Sequence, residues 1–414
     1  MTHTSPLAPT ALLTILLILP LLLALPTLLL GLQIAAALWP RQHAQSAAPS
    51  TQTPNTPPRR PVIAVLVPAH NEEGGIAITL DAIQRQLSAS DHLLVIADNC
   101  SDRTADIALA AGAHLTSRRD PHHRGKALAL AHGLRHLATA RIQADILILI
   151  DADCWLGEHA LDHLAASCQA LRRPVQALYL MHASPSAGPA RRAAAFAWRL
   201  KNDIRAQGRD RLCLPCQLTG SGMAFPAALL SPSLLEQGGL VEDLELGLAL
   251  TAQGQAPAFC PQAIIHSRFP DSEHAAHIQR TRWEHGHLHL ICRDAPRHLL
   301  RSLRQRDWRY LALACDLCIP PLSLLLTLSL VADGALLAVW TFSKAGWPWL
   351  LPALPLPLLL ATLLAAWRQR GRDLLSARQM LWQVPAAMLR KLPLYARFLR
   401  HRQREWIASV RDRS

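Results

Sequence analysis

The first 40 residues of this chain contain no Lys, Arg, Asp or Glu. Within them, Ala11 to Leu38 is almost wholly Leu, Ile, Ala, Thr and Pro. A helix needs about 20 residues at ~1.5 Å rise each to cross a bilayer core of ~30 Å, and this stretch exceeds that. Pro20 and Pro26 should kink it, which membrane helices tolerate. It lacks a basic leader and outruns the apolar core of a signal peptide, so residues 1–40 read as an anchor and not a cleaved signal. Arg41, Arg59 and Arg60 follow the stretch and no basic residue precedes it. The positive-inside rule then places the N-terminus outside and residue 41 onward in the cytoplasm.

The 414 residues are half apolar yet carry a formal charge of +13. That pairing suits either a nucleic-acid binder or a membrane protein with basic cytoplasmic edges. The position of the charge decides for the membrane, because Arg clusters beside apolar spans and is dense after Arg368. No zinc-finger spacing or aromatic-studded RNA-binding signature occurs, so a nucleic-acid partner is not expected. Nine Cys are scattered, two pairs of them at C-x-x-C spacing, Cys213/Cys216 and Cys315/Cys318. Neither pair has a matching second knuckle, which favours buried, reduced thiols over a zinc or redox site.

Residues 41–60 are rich in Pro, Ser, Thr, Gln and Ala and read as a flexible linker. A soluble α/β unit follows over 61–296. Val62–Val67 is a β-branched run ending in Pro68-Ala-His70-Asn71-Glu72-Glu73-Gly74-Gly75, and Ile76–Leu87 has helical spacing. His92–Ala97 is a second strand ending in Asp98-Asn99, with Ser101 or Asp102 placed to cap a helix running through Ala111. A third strand near His114 leads to Arg124-Gly125-Lys126 and a helix to about Ala138. Ile146-Leu-Ile-Leu-Ile then ends abruptly in Asp151-Ala-Asp153. Strands alternating with helices at this pitch mean a mostly parallel, Rossmann-like sheet with helices on both faces. The polar strand ends share one edge, where ligands bind in such sheets. Along an extended strand, residues i and i+2 point the same way, so Asp151 and Asp153 should present two carboxylates together. Paired carboxylates repel unless a cation joins them, and hard oxygens suit Mg²⁺ or Mn²⁺.

The run VPAHNEEGG, VIADNCSDRTADIA, RGKALAL and LIDADC resembles the nucleotide-binding half of family 2 glycosyltransferases of the GT-A fold. Gly220-Ser-Gly222-Met223, Val241-Glu242-Asp243-Leu-Glu245 and the full Q-x-x-R-W of Gln279, Arg282 and Trp283 look like that family's acceptor half. The resemblance covers roughly residues 62–295. It implies a nucleotide diphosphate sugar as donor, with the His70–Glu72 region and Asp98 cradling the nucleoside. Asp98 could instead be a turn-capping Asx residue.

Lys126 is placed to meet a phosphate as a point charge, and Asp151 and Asp153 would hold the cation that bridges the diphosphate. A metal there stabilises leaving-group charge without a proton. Acids in a first helical turn are ordinary for dipole reasons, so the role of general base for Asp243, with Glu242 beside it, rests on the resemblance. So does inversion at the anomeric carbon. Gln279, Arg282 and Trp283 share one helical face, near the start of a helix running to about Cys292. Trp offers a flat wall for a sugar and Arg a forked donor for a phosphate. His285, His287 and His289 alternate and would not converge on a helix, so no metal site is expected there.

Residues 297–310 are basic with interspersed Leu and Trp308 and read as an interfacial amphipathic helix. Residues 311–367 read as a membrane hairpin, Leu311–Phe342 interrupted at Pro320-Pro321 and then Trp347–Trp367. Residues 368–414 form a basic cytoplasmic tail that lies on the inner leaflet or adds a short re-entrant or extra span. The expectation is a multi-pass protein of the cytoplasmic membrane, its catalytic domain cytoplasmic. It would move a sugar, most simply from a UDP-sugar, to a lipid-linked or polysaccharide acceptor, among other polysaccharide-assembly proteins. The alternatives are a processive synthase that polymerises and extrudes the chain, and a non-catalytic nucleotide-sugar sensor that recruits partners. Few spans for a tunnel weigh against the first, and intact acids against the second.

Overall fold

The computed structural model describes residues 7–40, 59–343 and 351–400, apart from 185, 237, 238, 240, 271 and 352. The linker falls outside these except at its end, where Arg60 is pinned by Asp91 and Asp162 at 2.7 and 3.0 Å.

The apolar N-terminal stretch is one helix, α1 (Leu7–Leu38), with both prolines inside it. The expected strands and helices then follow in order: β1 (Ile63–Ala69), α2 (Ile76–Gln84), β2 (His92–Asp98), α3 (Thr104–Ala110), β3 (His114–Arg118), α4 (Lys126–Thr139) and β4 (Ile146–Leu149). Asp102 does not cap α3 from the N-cap position. It sits one residue before the Arg103 N-cap, accepting from the Thr104 N–H at 3.0 Å and from the Glu73 N–H at 3.0 Å.

The chain continues through β5 (Trp155–Leu156), α5 (Ala160–Leu171), β6 (Val175–His182) and α6 (Pro189–Arg199). A π-helical turn over Leu200–Ile204 joins α6 to α7 (Arg205–Arg211). Then come β7 (Met223–Pro226), α8 (Pro232–Leu235), α9 (Glu242–Thr251), β8 (Ala258–Arg268) and α10 (Glu273–Arg293). All eight strands form one sheet in the order β3-β2-β1-β4-β7-β6-β8-β5. The first four are mutually parallel, and β6 and β8 are parallel to each other, whereas β7 and β5 run against their neighbours. The sheet is mixed, its parallel half carrying the first four motifs.

Period-two alternation builds both faces. Val65, Val67, Val95 and Ile148 pack under α2, α3 and α5, while Leu66, Leu94, Ile96 and Leu149 pack under α4, α8 and α9. Burial on both sides explains why these strands read as continuous apolar runs.

Beyond the sheet lie α11 (Ala295–Gln305), α12 (Trp308–Leu317), α13 (Leu322–Ser343), α14 (Pro355–Arg370), a π-helical turn (Gln379–Gln383), α15 (Val384–Leu389) and α16 (Leu392–Arg400). The expected interfacial segment is not one helix to Arg309. It stops at Gln305, Arg306 takes a left-handed φ of 53°, and Asp307 caps α12 through the N–H groups of Arg309 and Tyr310.

The expected span over 311–342 is likewise two helices, α12 and α13, bent by 75° at the Pro320-Pro321 break. A proline cannot donate the helical hydrogen bond and disfavours helix before it, so the pair ends α12 and starts α13 afresh. Among the described residues, Ile18–Leu38 is long and apolar enough to cross a membrane alone, and α12 with α13 only as a bent pair. The start of the expected second span, residues 347–350, lies outside the described residues, and α14 has 16 residues.

The apolar helices do not stand apart from the α/β unit. Leu30, Ile34 and Ala37 of α1 bury against Leu200 and Ile204 of the π turn and against Leu359 and Leu363 of α14. Asp316 of α12, 2% exposed, draws in three elements: it accepts from Gln33 of α1 at 2.7 Å, from Arg205 at 3.0 Å, and from Arg209 and Gln217.

Candidate active site

The loops at the carboxyl ends of β1 and β2 are built on two asparagines in the left-handed region, Asn71 (φ 55°) and Asn99 (φ 52°), which Asn tolerates better than most residues. Each side chain stitches a neighbouring loop. Asn71 Oδ1 accepts from the Ser101 N–H and Asn99 Oδ1 from the Asp120 N–H, both at 2.8 Å. His70 Nδ1 lies 2.7 Å from the Asp98 carbonyl, which fixes that nitrogen as the donor. The Asp98 carboxylate is nearly buried and accepts from Arg118 at 2.8 Å and Asn99 Nδ2 at 3.0 Å. Arg118 also reaches Asp120 and the His123 carbonyl. Glu72 joins the same edge through its N–H, which donates to Thr104 Oγ1 at 2.8 Å.

At the third loop, Gly125 (φ 149°) precedes the first residue of α4, Lys126. The Lys126 ammonium sits against Asp151 and donates to the Gly220 carbonyl at 2.6 Å. Burial works against its charge, but Asp151, Glu242 and Asp243 outweigh burial and hold its pKa above the ordinary lysine value.

The strand geometry expected for the two aspartates is corrected here. β4 ends at Leu149, and residues 151–154 form a turn closed by the Cys154 N–H on the Asp151 carbonyl at 3.2 Å. The period-two argument therefore does not apply. Asp151 turns to Lys126, while Asp153 accepts from Ser267 Oγ of β8 at 2.7 Å. Ser221 supports the turn by accepting the Asp151 N–H at 3.0 Å and lying 3.2 Å from the Cys154 thiol.

The segment that meets Lys126 needs Gly220, whose φ is +90°. A side chain there would begin 3.5 Å from Asp243 Oδ2 and 3.7 Å from the Lys126 ammonium. The acid of the E-D pair, the lysine and, through it, Asp151 thus converge on one turn. The pair stands in the first turn of α9, as its sequence suggested, Asp243 Oδ1 accepting from the Leu244 N–H at 2.9 Å. Burial, then Asp243, push Glu242 up to about 7, against the pull of Lys126 and Arg282. Lys126, Glu242, Asp243 and Glu245 line one side of a cavity of about 900 Å³, faced by Leu290 and Arg293 of α10.

The Q-x-x-R-W residues lie mid-helix on α10, which starts at Glu273, earlier than its pattern suggested. Arg282 acts on Glu242 through its charge. Gln279 is half-buried on the same helix. Trp283 is not an open wall: it packs against Trp198 with ring centres 5.2 Å apart, and Trp198 in turn meets Tyr179 and Phe269 edge-on. His285 and His287 go to separate carbonyls, of Leu394 and Leu317, and do not converge.

A model described as "Glycosyltransferase like family 2" matches residues 58–286, more than half of the chain. The chain belongs to that family. A probable glycosyltransferase of Bacillus subtilis, YdaM, is 25% identical over 246 residues, 56% of either protein, so the chain spans a little over half the length of that relative. The mannosyltransferase PcManGT of Pyrobaculum calidifontis, solved with GDP-Man and Mn²⁺, superposes with a TM-score of 0.51 at 20% identity, covering 91% of this chain and 99% of its own. That likeness establishes a GT-A-like fold. Glucosyl-3-phosphoglycerate synthase of Mycobacterium tuberculosis is a looser match, with a TM-score of 0.37 at 22% identity over 54% of this chain and 78% of its own.

Within this glycosyltransferase-family frame, sequence reasoning missed several residues at the site. Arg118 and Ser267 carry no motif signal, since each is defined only by the strand or turn opposite, whereas Ser221 stands inside the Gly220-Ser-Gly222-Met223 motif without a role of its own having been read from it. Lys201 did carry one. Only four of the 42 basic residues are Lys, at 126, 201, 344 and 391. Lys201 lies on the π-helical turn, within electrostatic reach of Asp243; burial lowers its pKa, with Asp243 opposing that. π turns recur at functional sites. The thiols are free throughout, yet Cys213 and Cys292 are exposed and not buried.

Proposed function

We propose that the chain is an inverting glycosyltransferase. It would move a sugar from a nucleotide diphosphate donor, most simply a UDP-sugar, to a lipid-linked or polysaccharide acceptor at the inner face of the cell membrane. The observation that supports this reading is the convergence at Gly220, where the Asp243 carboxylate and the Lys126 ammonium meet at one turn.

In this reading His70, Glu72 and Asp98 hold the nucleoside and Lys126 takes a phosphate. Asp243 accepts the acceptor hydroxyl's proton, and Glu242, Gln279, Arg282 and Trp283 shape the acceptor and diphosphate side. Asp151 and Asp153 would hold Mg²⁺ or Mn²⁺. Among the described residues no group of three or more His, Cys, Asp or Glu gathers there. Two hard carboxylates suit an ion that takes its remaining ligands from phosphates and water. Such an ion would act as a Lewis acid on the departing diphosphate.

Two surfaces support the membrane placement. Leu21, Leu22 and Leu25 of α1 are each more than half exposed, which water would not favour for a row of leucines. On α11 and just after it, Leu300, Leu303 and Trp308 are exposed among Arg297, Arg301 and Arg304, a pattern suited to an anionic interface. The test is a donor panel. Membranes carrying the full chain are incubated with several UDP- and GDP-sugars plus Mg²⁺ or Mn²⁺, and the released nucleotide is identified. Release from one donor, lost in Asp243→Asn, is expected; no release from any donor would sink the proposal. Radiolabelled product length separates single transfer from polymerisation, and long polymer from the purified chain alone would favour the processive alternative.

A further inference from the structure

Next to the turn at Gly220, at Thr219, lies a small, partly open void of about 20 Å³. It is lined by Lys201 and Asn202 of the π-helical turn, Arg205 and Arg209 of α7, Thr219, and Asp316 of α12. Asn202 is 4% exposed, yet neither its Nδ2 nor its Oδ1 has a hydrogen-bond partner, and Thr219 Oγ1 has none either. Three unmatched polar atoms around one void are rare in native interiors, where buried polar groups are almost all paired.

The charge around the void is also uneven. Arg205 and Arg209 share the single carboxylate of Asp316. Lys201 adds a third cation and, among the described residues, forms no ion pair; Asp243 and the already shared Asp316 act on it only at a distance. Burying an uncompensated cation is costly.

Size and charge together choose the occupant. A void that holds one water needs roughly 10–15 Å³ by the same measure, so the space here fits a single small particle better than a phosphate, a carboxylate ligand or a sugar. Water would suit the Asn202 Oδ1 acceptor but would leave the surplus charge. A halide accepts from the Asn202 amide, the Thr219 hydroxyl and the Lys201 ammonium, and supplies the missing negative charge.

We propose that this void is a binding site for one small monovalent anion, chloride in a cell. The anion would brace the turn behind Gly220 from the side where α7 and α12 meet α1. Thr219 is continuous with that turn. Gln176 ties the two together, its Oε1 accepting from the Thr219 N–H and its Nε2 donating to the Ser221 carbonyl, both at 2.9 Å.

The test uses the full chain in detergent. Thermal unfolding is compared in potassium chloride, potassium bromide and potassium gluconate at equal ionic strength, gluconate being too large to enter. Crystals grown in bromide are measured at the bromine absorption edge. A Tm about 2 °C or more higher in both halides is expected, with an anomalous peak among Lys201, Asn202 and Thr219. Lys201→Met and Thr219→Val should each lose the halide increment. Thr219→Val keeps the test decisive if Lys201→Met does not fold. Equal Tm values in the three salts, or a halide increment unchanged in Thr219→Val, overturns the proposal. A bromide peak without the increment means an adventitious ion only and overturns it too.

Discussion

The ammonium of Lys126 lies against the carboxylate of Asp151. One residue from the third loop thereby joins the aspartate turn after β4 to the turn at Gly220, whose carbonyl it also reaches. Asp151, Glu242 and Asp243 all add to the hold on its proton. Removing that charge leaves three carboxylates without their shared cation, and their mutual repulsion is expected to open the site.

Lys126→Met should therefore lower kcat/KM for the donor by about 10²-fold, the scale of losing one preorganised electrostatic contact. Lys126→Arg should not restore it, because a planar fork cannot replace a compact ammonium held between a carboxylate and a carbonyl. Nucleotide release under initial-rate conditions measures both. Rates within threefold of wild type in Lys126→Met would remove the lysine from the donor site.

Asp243→Asn keeps the shape of the first turn of α9 and removes the proton acceptor. A general base contributes about 10²–10⁴-fold, so kcat should fall by that range while donor KM stays within a few-fold. Equal losses in both parameters would mean that Asp243 binds donor and is not the base. Measuring the donor Kd of the variant separately keeps the two cases apart.

β1, β2 and β4 of the parallel half were legible because each is buried on both faces and reads as an uninterrupted apolar run, with helical spacing between; the edge strand β3 is partly exposed and mostly polar. The antiparallel β7 was hidden: Met223–Pro226 is four residues long and is defined by its pairing with β4. Site legibility had two sources: Asp151 stands at the end of an apolar run, where polarity changes abruptly, while Lys126, Glu242 and Asp243 were singled out by the family resemblance.

Other features were not legible. The turn at 151–154 was misread because a tight turn and a strand tip share the same D-x-D letters, and only the Cys154 hydrogen bond distinguishes them. The covering of Trp283 by Trp198 could not be read, since the two rings lie far apart in sequence and meet only in the fold. The rarity of Lys in an arginine-rich chain was a usable clue to Lys201.

Glu242 gives a pH dependence of stability with a definite sign. Burial, then Asp243, raise its pKa to about 7. A carboxyl raised in this way favours the folded state fully below its ordinary pKa and loses that contribution as pH rises through about 7. Glu242→Gln does not titrate. Relative to wild type, the variant should therefore gain stability between pH 5 and pH 8, by about 1 to 2 kcal/mol once its part exposure is discounted. Thermal unfolding of both proteins across that range is the check, and parallel curves would refute the raised pKa.

Among the described glycines, Gly208 makes the tightest approach, where α7 meets α1, and that contact bears on whether the apolar N-terminal helix is a detachable anchor or a part of the catalytic body. A Cβ built on Gly208 would lie 1.8 Å from the backbone carbonyl oxygen of Gln33. Backbone cannot yield as a flexible side chain does, so Gly208→Ala must push the helices apart. Overpacking of this kind costs about 1–3 kcal/mol and sometimes more. The shift would also carry Gln33 away from Asp316 and Arg205, to which it is bonded at 2.7 and 2.9 Å. Gly208→Ala is thus expected to lower Tm by several degrees in detergent and to reduce donor turnover with it. Gly334→Ala serves as the control, because nothing lies within 4 Å of a Cβ there and alanine favours helix over glycine; its Tm should hold or rise. If Gly208→Ala matched wild type in both Tm and turnover, α1 would have to be docked on α7 more loosely than these distances allow.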